Sequence, residues 1–163
     1  MRVLFQRFET VQPMSAFAIF SNLSLFKQVT HEELVSLIPR IALDFSTFMP
    51  GDQVLGPETE PIGLMYLLEG RVLGRYKDSR IQFGPGDLLT FSGLFGRNKQ
   101  AFMSLEALEP AKVLTLDAHS LTFLMQQHQA ILTTYVGWLS DAADPIRCLH
   151  TLNELRQPSD SRP

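Results

Sequence analysis

Hydrophobic and polar positions divide the chain into a helical start, a β-rich middle and a helical end. Across residues 15–38, apolar side chains recur every three or four positions, which predicts two short helices. Thr30 and Glu33 have the spacing of a capping box, so the second helix is expected to begin there. Pro39 lacks an amide hydrogen and is expected to end it.

The middle of the chain consists of short β-rich runs separated by glycine, proline, aspartate and asparagine. The predicted strands are residues 41–48, 53–55, 64–68, 71–76, 80–83, 88–89, 102–108 and 113–116. Several short strands at this spacing predict a small barrel or jelly roll.

Helical spacing returns after Asp117 and continues to the end of the apolar pattern. Pro145 after Asp144 is typical of a helix start, so the last helix is expected to kink or restart there. The chain is therefore predicted as one domain over residues 1–156, followed by a flexible tail at 157–163. The predicted parts of the domain are N-terminal helices at 1–39, a β-roll at 40–116 and C-terminal helices at 117–156.

Composition narrows the range of functions. The chain has 163 residues, of which 45% are hydrophobic and 19% charged, a balance that suits a globular domain with one core. Its net charge of −3 comes from mixed acidic and basic residues without a basic stripe, so nucleic acid is not expected as a direct partner. No apolar run approaches the ~20 residues that a membrane helix needs. A single cysteine, Cys148, excludes an internal disulfide and favours a cytoplasmic location.

Three glycine-containing motifs follow one another in the β-rich part: FMPGDQV at residues 48–54, MYLLEGRV at 65–72 and FGPGD at 83–87. Glycine permits the positive φ of tight turns, and aspartate accepts hydrogen bonds from nearby turn amides. The residues interpreted as structural turn residues are Gly51, Asp52, Gly70, Gly86 and Asp87.

These motifs, in this order and with helices on both sides, resemble the cyclic-nucleotide-binding domain family. That family includes catabolite activator proteins, kinase regulatory subunits and gated channels. The resemblance covers roughly residues 23–141 and is to the effector domain of the activator proteins. It implies a mainly β fold with flanking helices: an eight-stranded β-roll, of the jelly-roll or cupin-like double-stranded β-helix type, with N-terminal helices and a C-terminal helix. It also implies a regulatory role in signalling.

The resemblance further implies where a ligand would bind. In the family, a phosphate-binding cassette follows the second Gly-Asp. Its Gly-Glu pair holds the ribose 2′-hydroxyl, and a later arginine pairs with the cyclic phosphate. Here Thr90 and Phe91 occupy the Gly-Glu positions, and the arginine position falls on Gln100 or Ala101. The cassette is therefore interpreted as degenerate, and cyclic nucleotide binding is expected to be weak or absent. The residues assigned to this pocket are Thr90, Phe91, Ser92, Gly93, Arg97, Gln100, Ala101 and Phe102.

An alternative hypothesis keeps the pocket in use. Arg97 and Lys99 lie in the same loop, and the amides of residues 92–94 could form a helix N-terminus that faces an anion. The domain would then sense another small ligand, such as a carboxylate or an apolar molecule, or would be a weak cyclic nucleotide receptor. An open cavity favours this hypothesis, whereas a pocket plugged by Phe91 excludes it.

An enzyme on a cupin-like roll is the third hypothesis. The four histidines show no metal-ligand spacing, so no metal or other cofactor is expected. No serine lies in a Gly-x-Ser-x-Gly motif. The chain is therefore predicted not to be an enzyme. The histidines are His31, His119, His128 and His150.

A C-terminal apolar stripe is the candidate for contacts with a protein partner. Its members are spaced by three or four residues, which suits a helix that packs on another helix: Tyr135, Trp138, Ala142, Ile146 and Leu149. In the resembling transcription factors, a helix at this place pairs two subunits, so a homodimer is the leading oligomer. Packing of the stripe on the chain's own roll is the alternative.

About twenty residues follow Asp144, too few for the helix-turn-helix domain of those transcription factors, so direct DNA binding is not expected.

Overall fold

The computed structural model describes residues 5–7, 13–57, 59–97, 99–142 and 145–156. Eight of the nine described strands lie between N-terminal and C-terminal helices, and two 3₁₀ turns, Ser24–Phe26 and Ile38–Arg40, lie before and after the helix His31–Leu37. The elements in chain order are β1 (Phe5–Arg7), α1 (Pro13–Ser21), α2 (His31–Leu37), β2 (Leu43–Phe48), β3 (Gln53–Leu55), β4 (Gly63–Glu69), β5 (Val72–Tyr76), β6 (Ser79–Phe83), β7 (Leu88–Thr90), β8 (Ser104–Ala107), β9 (Ala111–Asp117), α3 (Ala118–Gln127), α4 (Gln129–Asp141) and α5 (Pro145–Glu154).

The strands form two antiparallel sheets, one with the order β1-β2-β9-β4-β7 and the other with the order β3-β8-β5-β6. Strands β2 to β9 are the eight strands of the predicted roll, so the predicted fold class is confirmed. The core lies between the sheets: Val72, Phe83 and Leu105 of the second sheet and Leu64 and Val113 of the first are fully buried. Alternation of buried and exposed residues, as along β6, directs one face of each strand into this core.

Strand β1 corrects the prediction that residues 1–39 contain helices alone. Its three residues pair antiparallel with β2, and Gln6 lies opposite Phe45. A three-residue strand is too short to leave a periodic signal in the sequence. It forms because the outer edge of β2 offers unpaired backbone groups, which only the assembled sheet provides.

Helix α2 begins at the predicted capping box. The Thr30 hydroxyl accepts a hydrogen bond from the Glu33 amide at 3.3 Å, and the Glu33 carboxylate accepts one from the Thr30 amide at 2.8 Å. The same carboxylate lies 3.0 Å from Nε2 of His128. The Thr30 amide and, after it, His128 lower the pKa of Glu33. The α-helix ends at Leu37, and Pro39 lies in the 3₁₀ turn that follows.

The N-terminal turn is held to the roll by Tyr66 of β4, which is almost fully buried. Its hydroxyl accepts a hydrogen bond from the Leu25 amide at 3.1 Å and lies 2.8 Å from the hydroxyl of Ser24. Burial raises the pKa of Tyr66, because the phenolate would be desolvated, so the hydroxyl stays protonated. This pair of hydrogen bonds positions the N-terminal helical region on the first sheet.

The Gly-Asp motifs lie in turns between strands. Gly51, Gly70 and Gly86 all have φ near +90°. Asp52 accepts a hydrogen bond from the Met49 amide, and Asp87 accepts one from the Gly84 amide, each at 2.8 Å. Both carboxylates thus bind an amide three residues earlier, which closes the turn.

Two features at the C-terminus complete the fold. Helix α5 begins at Pro145, where the sequence predicted that the last helix would kink or restart. The predicted cap Asp144 and the predicted tail 157–163 lie outside the described residues. Within the described residues, no helix is long and apolar enough to cross a membrane.

Candidate functional site

The segment that connects β7 to β8, residues 91–103, is called the cassette loop below. Its described residues form bends and no helix. Gly93 and Gly96 have φ of 76° and 91°, values that a right-handed helix does not contain. The helix N-terminus that the alternative hypothesis allowed at residues 92–94 is therefore not formed.

Phe91 is the first residue of the cassette loop, and its side chain is fully buried (0% exposed). Its ring packs edge-on against Trp138 of α4, with ring centroids 5.7 Å apart. Its carbonyl oxygen accepts a 2.7 Å hydrogen bond from the hydroxyl of Tyr135, one helical turn earlier on α4. We call Phe91, Tyr135 and Trp138 the aromatic clamp, because together they fasten the cassette loop to α4.

Tyr135 is suited to its role as a donor in the clamp. Burial raises the pKa of its hydroxyl, and the nearby thiol of Cys148 adds to the effect. The phenol therefore stays neutral and keeps the proton that it donates to Phe91. Its ring also lies 6.1 Å from that of Phe95, which is about half exposed on the outside of the loop.

The remainder of the cassette loop folds inward on apolar side chains: Leu94, Ala101 and Met103 are all buried. The Ala101 amide donates a 2.8 Å hydrogen bond to the carbonyl of Thr59, which ties the loop to the segment before β4. A Cβ at Gly93 would lie 2.5 Å from the carbonyl oxygen of Gln100, so the two arms of the loop nearly touch.

The polar residues assigned to the pocket do not converge on a common point. Thr90 is buried within β7, and Ser92 receives a 3.5 Å hydrogen bond from the thiol of Cys148 on α5. Arg97 and Gln100 are exposed, whereas Phe102 is half-buried against Tyr76, with ring centroids 6.1 Å apart. The buried polar side chains of the described residues include no lysine or arginine, so none of them would neutralise a buried phosphate.

Comparisons with known proteins give a result for structure but not for sequence. No family model matches the chain, and no curated protein matches it at a significant level. Among solved structures, catabolite activator protein from Thermus thermophilus matches with a TM-score of 0.63 and 16% identity, over 80% of this chain and 62% of that one. A domain named PKAR CBD2 with bound Sp-2Cl-cAMPS matches with a TM-score of 0.63 and 17% identity, over 90% of this chain and 93% of that one.

The chain has the fold of a cyclic-nucleotide-binding domain. The sensor domain of the regulator DNR from Pseudomonas aeruginosa also matches, with a TM-score of 0.62 and 14% identity over 76% of this chain and 90% of that one. These identities show the fold and nothing about the ligand. What the cyclic-nucleotide-binding fold does here must be argued from the chain's own side chains.

The C-terminal helices of this cyclic-nucleotide-binding fold correct the predicted partner stripe. Tyr135 and Trp138 point inward to the cassette loop, Ala142 is half-buried, and only Ile146, at 70%, is widely exposed. Leu149 is half-buried on α5. Two of the five residues are thus buried, two are half-buried and one is exposed, so they do not form one exposed surface. Tyr135 and Trp138 pack on the chain's own cassette loop through Phe91.

Sequence reasoning missed a different apolar face on α4. Leu132, Val136 and Leu139 follow the spacing of one helical face and are 40 to 47% exposed. The signal that could have revealed this face is the absence of any charged residue between positions 129 and 140, since a solvated helix normally carries charges there.

The described part of the chain contains no group of three or more histidine, cysteine, aspartate or glutamate residues that could hold a metal ion.

Proposed function

We propose that this chain is a non-catalytic regulatory or protein-interaction module whose ligand pocket is closed by its own side chains. The observation that carries the proposal is the burial of Phe91. Under the resemblance to the family, counting from Gly86-Asp87 puts this residue at the position of the glutamate that holds the ribose. Here its ring is fully buried against Trp138, and its carbonyl is bound by Tyr135. A cyclic nucleotide would have to displace this ring.

The lack of an arginine to pair with a cyclic phosphate also supports a loss of cyclic nucleotide binding. The positions that align with the family arginine are Gln100 and Ala101, neither of which carries a charge. Losing one partner of a buried charged pair typically costs about 2 to 5 kcal/mol. At about 1.4 kcal/mol per tenfold change, this corresponds to roughly a 30-fold to several-thousand-fold loss in affinity.

The aromatic clamp also bears on mechanism. A ligand shifts a two-state protein only by binding one state more tightly than the other. In this chain the loop and α4 are already joined by a hydrogen bond and by ring packing, without a ligand. The module is therefore proposed to be held in one state, in which it presents a constant surface to a partner in the cytoplasm rather than to nucleic acid.

The alternative, a sensor of another small ligand in the same pocket or a weak cyclic nucleotide receptor, receives no support from a specific contact. It would use Thr90, Ser92 and Arg97. The first of these is buried within β7, the second contacts Cys148, and the third is exposed to solvent.

Isothermal titration with cyclic AMP and cyclic GMP tests the proposed loss of binding. The natural protein is expected to give no micromolar binding, because the buried Phe91 offers no carboxylate for a ribose hydroxyl and no buried lysine or arginine among the described residues would receive the phosphate. A Phe91→Ala variant, titrated alongside, removes the ring but restores neither anchor, so it is expected to stay silent as well. Micromolar or tighter binding by the natural protein would contradict the proposal.

For the partner, we propose a second copy of the chain that docks on the outward face of α4, here called the α4 face: Leu132, Val136 and Leu139. An isologous dimer places this face against itself, and because residues 129–140 carry no charge, the pairing involves no like-charge repulsion within that segment. Gly137 lies beside the face, and a Cβ there would meet no atom within 4 Å, so a second helix could approach closely.

Light scattering with sedimentation analysis is expected to show a dimer. A Val136→Lys variant is expected to weaken the dimer at least about tenfold, since it places a charge in an apolar contact. The matched control is Val35→Lys on α2, because Val35 is similarly exposed, at 43% against 47% for Val136. A natural protein that remains monomeric at high concentration, or equal effects of the two lysines, would exclude this interface.

A further inference from the structure

Strand β6 forms one edge of the second sheet, because β5 is its only neighbour there among the described strands. The two strands are joined by a two-residue turn, with Tyr76 opposite Ser79 and Lys77 at a φ of 53°. The two residues that flank such a turn, here Tyr76 and Ser79, exchange backbone hydrogen bonds. Along the two strands, hydrogen-bonded residue pairs then alternate with pairs that share no hydrogen bond, and Arg80 and Gln82 belong to the second kind. Arg80 and Gln82 therefore direct their backbone amides and carbonyls away from β5, toward the open edge.

The edge remains available for another strand. Among the described residues, no backbone hydrogen bond beyond the β5 ladder involves Arg80 or Gln82. Exposed edges of this kind are usually covered, shortened or twisted away, because they are templates for a further strand. In the part of the chain that the structure describes, neither a strand nor a bulge closes the edge. Instead, a groove separates it from α5.

Helix α5 forms the opposite wall of this groove. Its inner residues Cys148 and Leu152 are buried, which fixes the helix on the molecule. The adjacent face of the helix leaves a groove of about 440 Å³ along the edge strand. We call this the β6–α5 groove, and the residues that line it are Ser79, Arg80, Ile81, Gln82, Ile146, Leu149, His150, Asn153 and Arg156.

The lining has the chemistry to recognise acidic and apolar groups together. Two of its residues, Arg80 and Arg156, are permanently charged, and none is an aspartate or glutamate. Nε2 of His150 lies 3.5 Å from Oε1 of Glu154, and the Arg156 guanidinium donates a 3.0 Å hydrogen bond to Oδ1 of Asn153. These contacts hold the side chains of His150 and Arg156 at the groove. The apolar contribution comes chiefly from Ile146, which is 70% exposed.

We propose that the β6–α5 groove binds an extended acidic peptide segment of a partner protein as an added strand on β6. Such a segment uses every feature of the groove: its backbone pairs with Arg80 and Gln82, its carboxylates meet the arginines, and its apolar side chains cover Ile146 and Leu149. A small carboxylate would leave the edge amides unpaired, and a nucleic acid would leave the apolar wall uncovered. The proposal rests on the proposed function as a protein-interaction module, but it concerns a surface other than the cassette loop and the α4 face.

Fluorescence anisotropy with labelled, end-blocked octapeptides tests the proposal. The probe alternates glutamate and valine, and its counterpart alternates lysine and valine. The acidic peptide is expected to bind at least about tenfold more tightly, and less tightly as salt is raised. Amide NMR spectra are expected to show shifts and slowed hydrogen exchange at Arg80 and Gln82. No binding of the acidic peptide, equal binding of the two peptides, or shifts confined to other surfaces would overturn the proposal.

Two pairs of variants separate backbone pairing from charge. Gln82→Pro removes an outward amide, which an edge strand tolerates, and it is expected to weaken binding at least about tenfold, whereas Gln82→Thr retains binding. Arg80→Gln is expected to weaken binding similarly, whereas Arg71→Gln, in a turn outside the groove, leaves it unchanged. Binding that survives Gln82→Pro would overturn strand addition. Oligomeric state and nucleotide titration of each variant, measured alongside, report separately on the proposed function.

Discussion

Replacement of Phe91 by alanine is expected to lower the free energy of unfolding by about 3 to 5 kcal/mol. The ring is fully buried between the cassette loop and α4, and its loss leaves a cavity beside Trp138 that rigid neighbours fill only in part. The hydrogen bond from Tyr135 is retained, because its acceptor is the backbone carbonyl of residue 91, which alanine also has. The change therefore measures the ring alone.

Denaturant titration followed by circular dichroism measures this loss. The control is Phe95→Ala, in the same loop. Phe95 is 42% exposed and its ring lies edge-on to that of Tyr135, so its loss is expected to cost less than about 1.5 kcal/mol. Saturating benzene is expected to recover part of the stability of Phe91→Ala and none of that of Phe95→Ala, since a dry apolar cavity binds such molecules. Similar small losses in both variants would show that the ring does not close the loop.

Gly70→Ala is the second change with a large expected effect, a destabilisation of about 2 to 5 kcal/mol. Gly70 joins β4 to β5 at a φ of 92°, where an L-residue costs roughly 1 to 2 kcal/mol. A Cβ there would also meet the backbone of Pro110 and Ala111 at the start of β9, and forcing extra volume into packed atoms costs roughly a further 1 to 3 kcal/mol. The neighbouring turn cannot easily retreat, because the Leu108 amide is hydrogen-bonded to the carbonyl of Arg71 at 2.9 Å.

Gly51→Ala separates the conformational cost of the positive φ from the steric cost of the added Cβ. Gly51 has nearly the same φ, 89°, but a Cβ there meets no atom within 4 Å. It is therefore expected to show only the conformational cost, about 1 to 2 kcal/mol. The difference between the two alanine variants in thermal and denaturant unfolding then measures the contact between the two turns. Equal losses would show that the β4–β5 and β8–β9 turns do not restrain one another.

Much of the fold could be predicted from local sequence, because its signals are local. Turns that require positive φ recruit glycine, and a capping box needs only Thr30 and Glu33 three residues apart. The short runs between such signals predicted all eight strands of the roll. The failure of helix formation in the cassette loop was not apparent, because the prediction considered the amides of residues 92–94 without the two left-handed glycines that interrupt them.

Counting from the Gly-Asp motif drew attention to Phe91 and to the uncharged residues Gln100 and Ala101. The assignment of these positions to a ligand pocket stays a prediction. Whether Tyr135 and Trp138 served a partner or the chain's own roll could not be decided, because helical spacing shows that a face is apolar and not what covers it. The same limit hid the exposure of the α4 face. The β6–α5 groove was hidden because its two walls, β6 and α5, are distant in sequence.

By itself, the sequence determined the order of elements, the positions of the turns, the uncharged residues at positions 100 and 101 and the absence of charge along residues 129–140. These depend on residue type and on spacing within a few positions. The tertiary structure alone decided that the Phe91 ring turns inward, that α4 fastens the cassette loop through Tyr135, and that β6 faces an open groove. Each of these is a contact between segments far apart in the chain, and such contacts are selected by how well whole elements pack against one another.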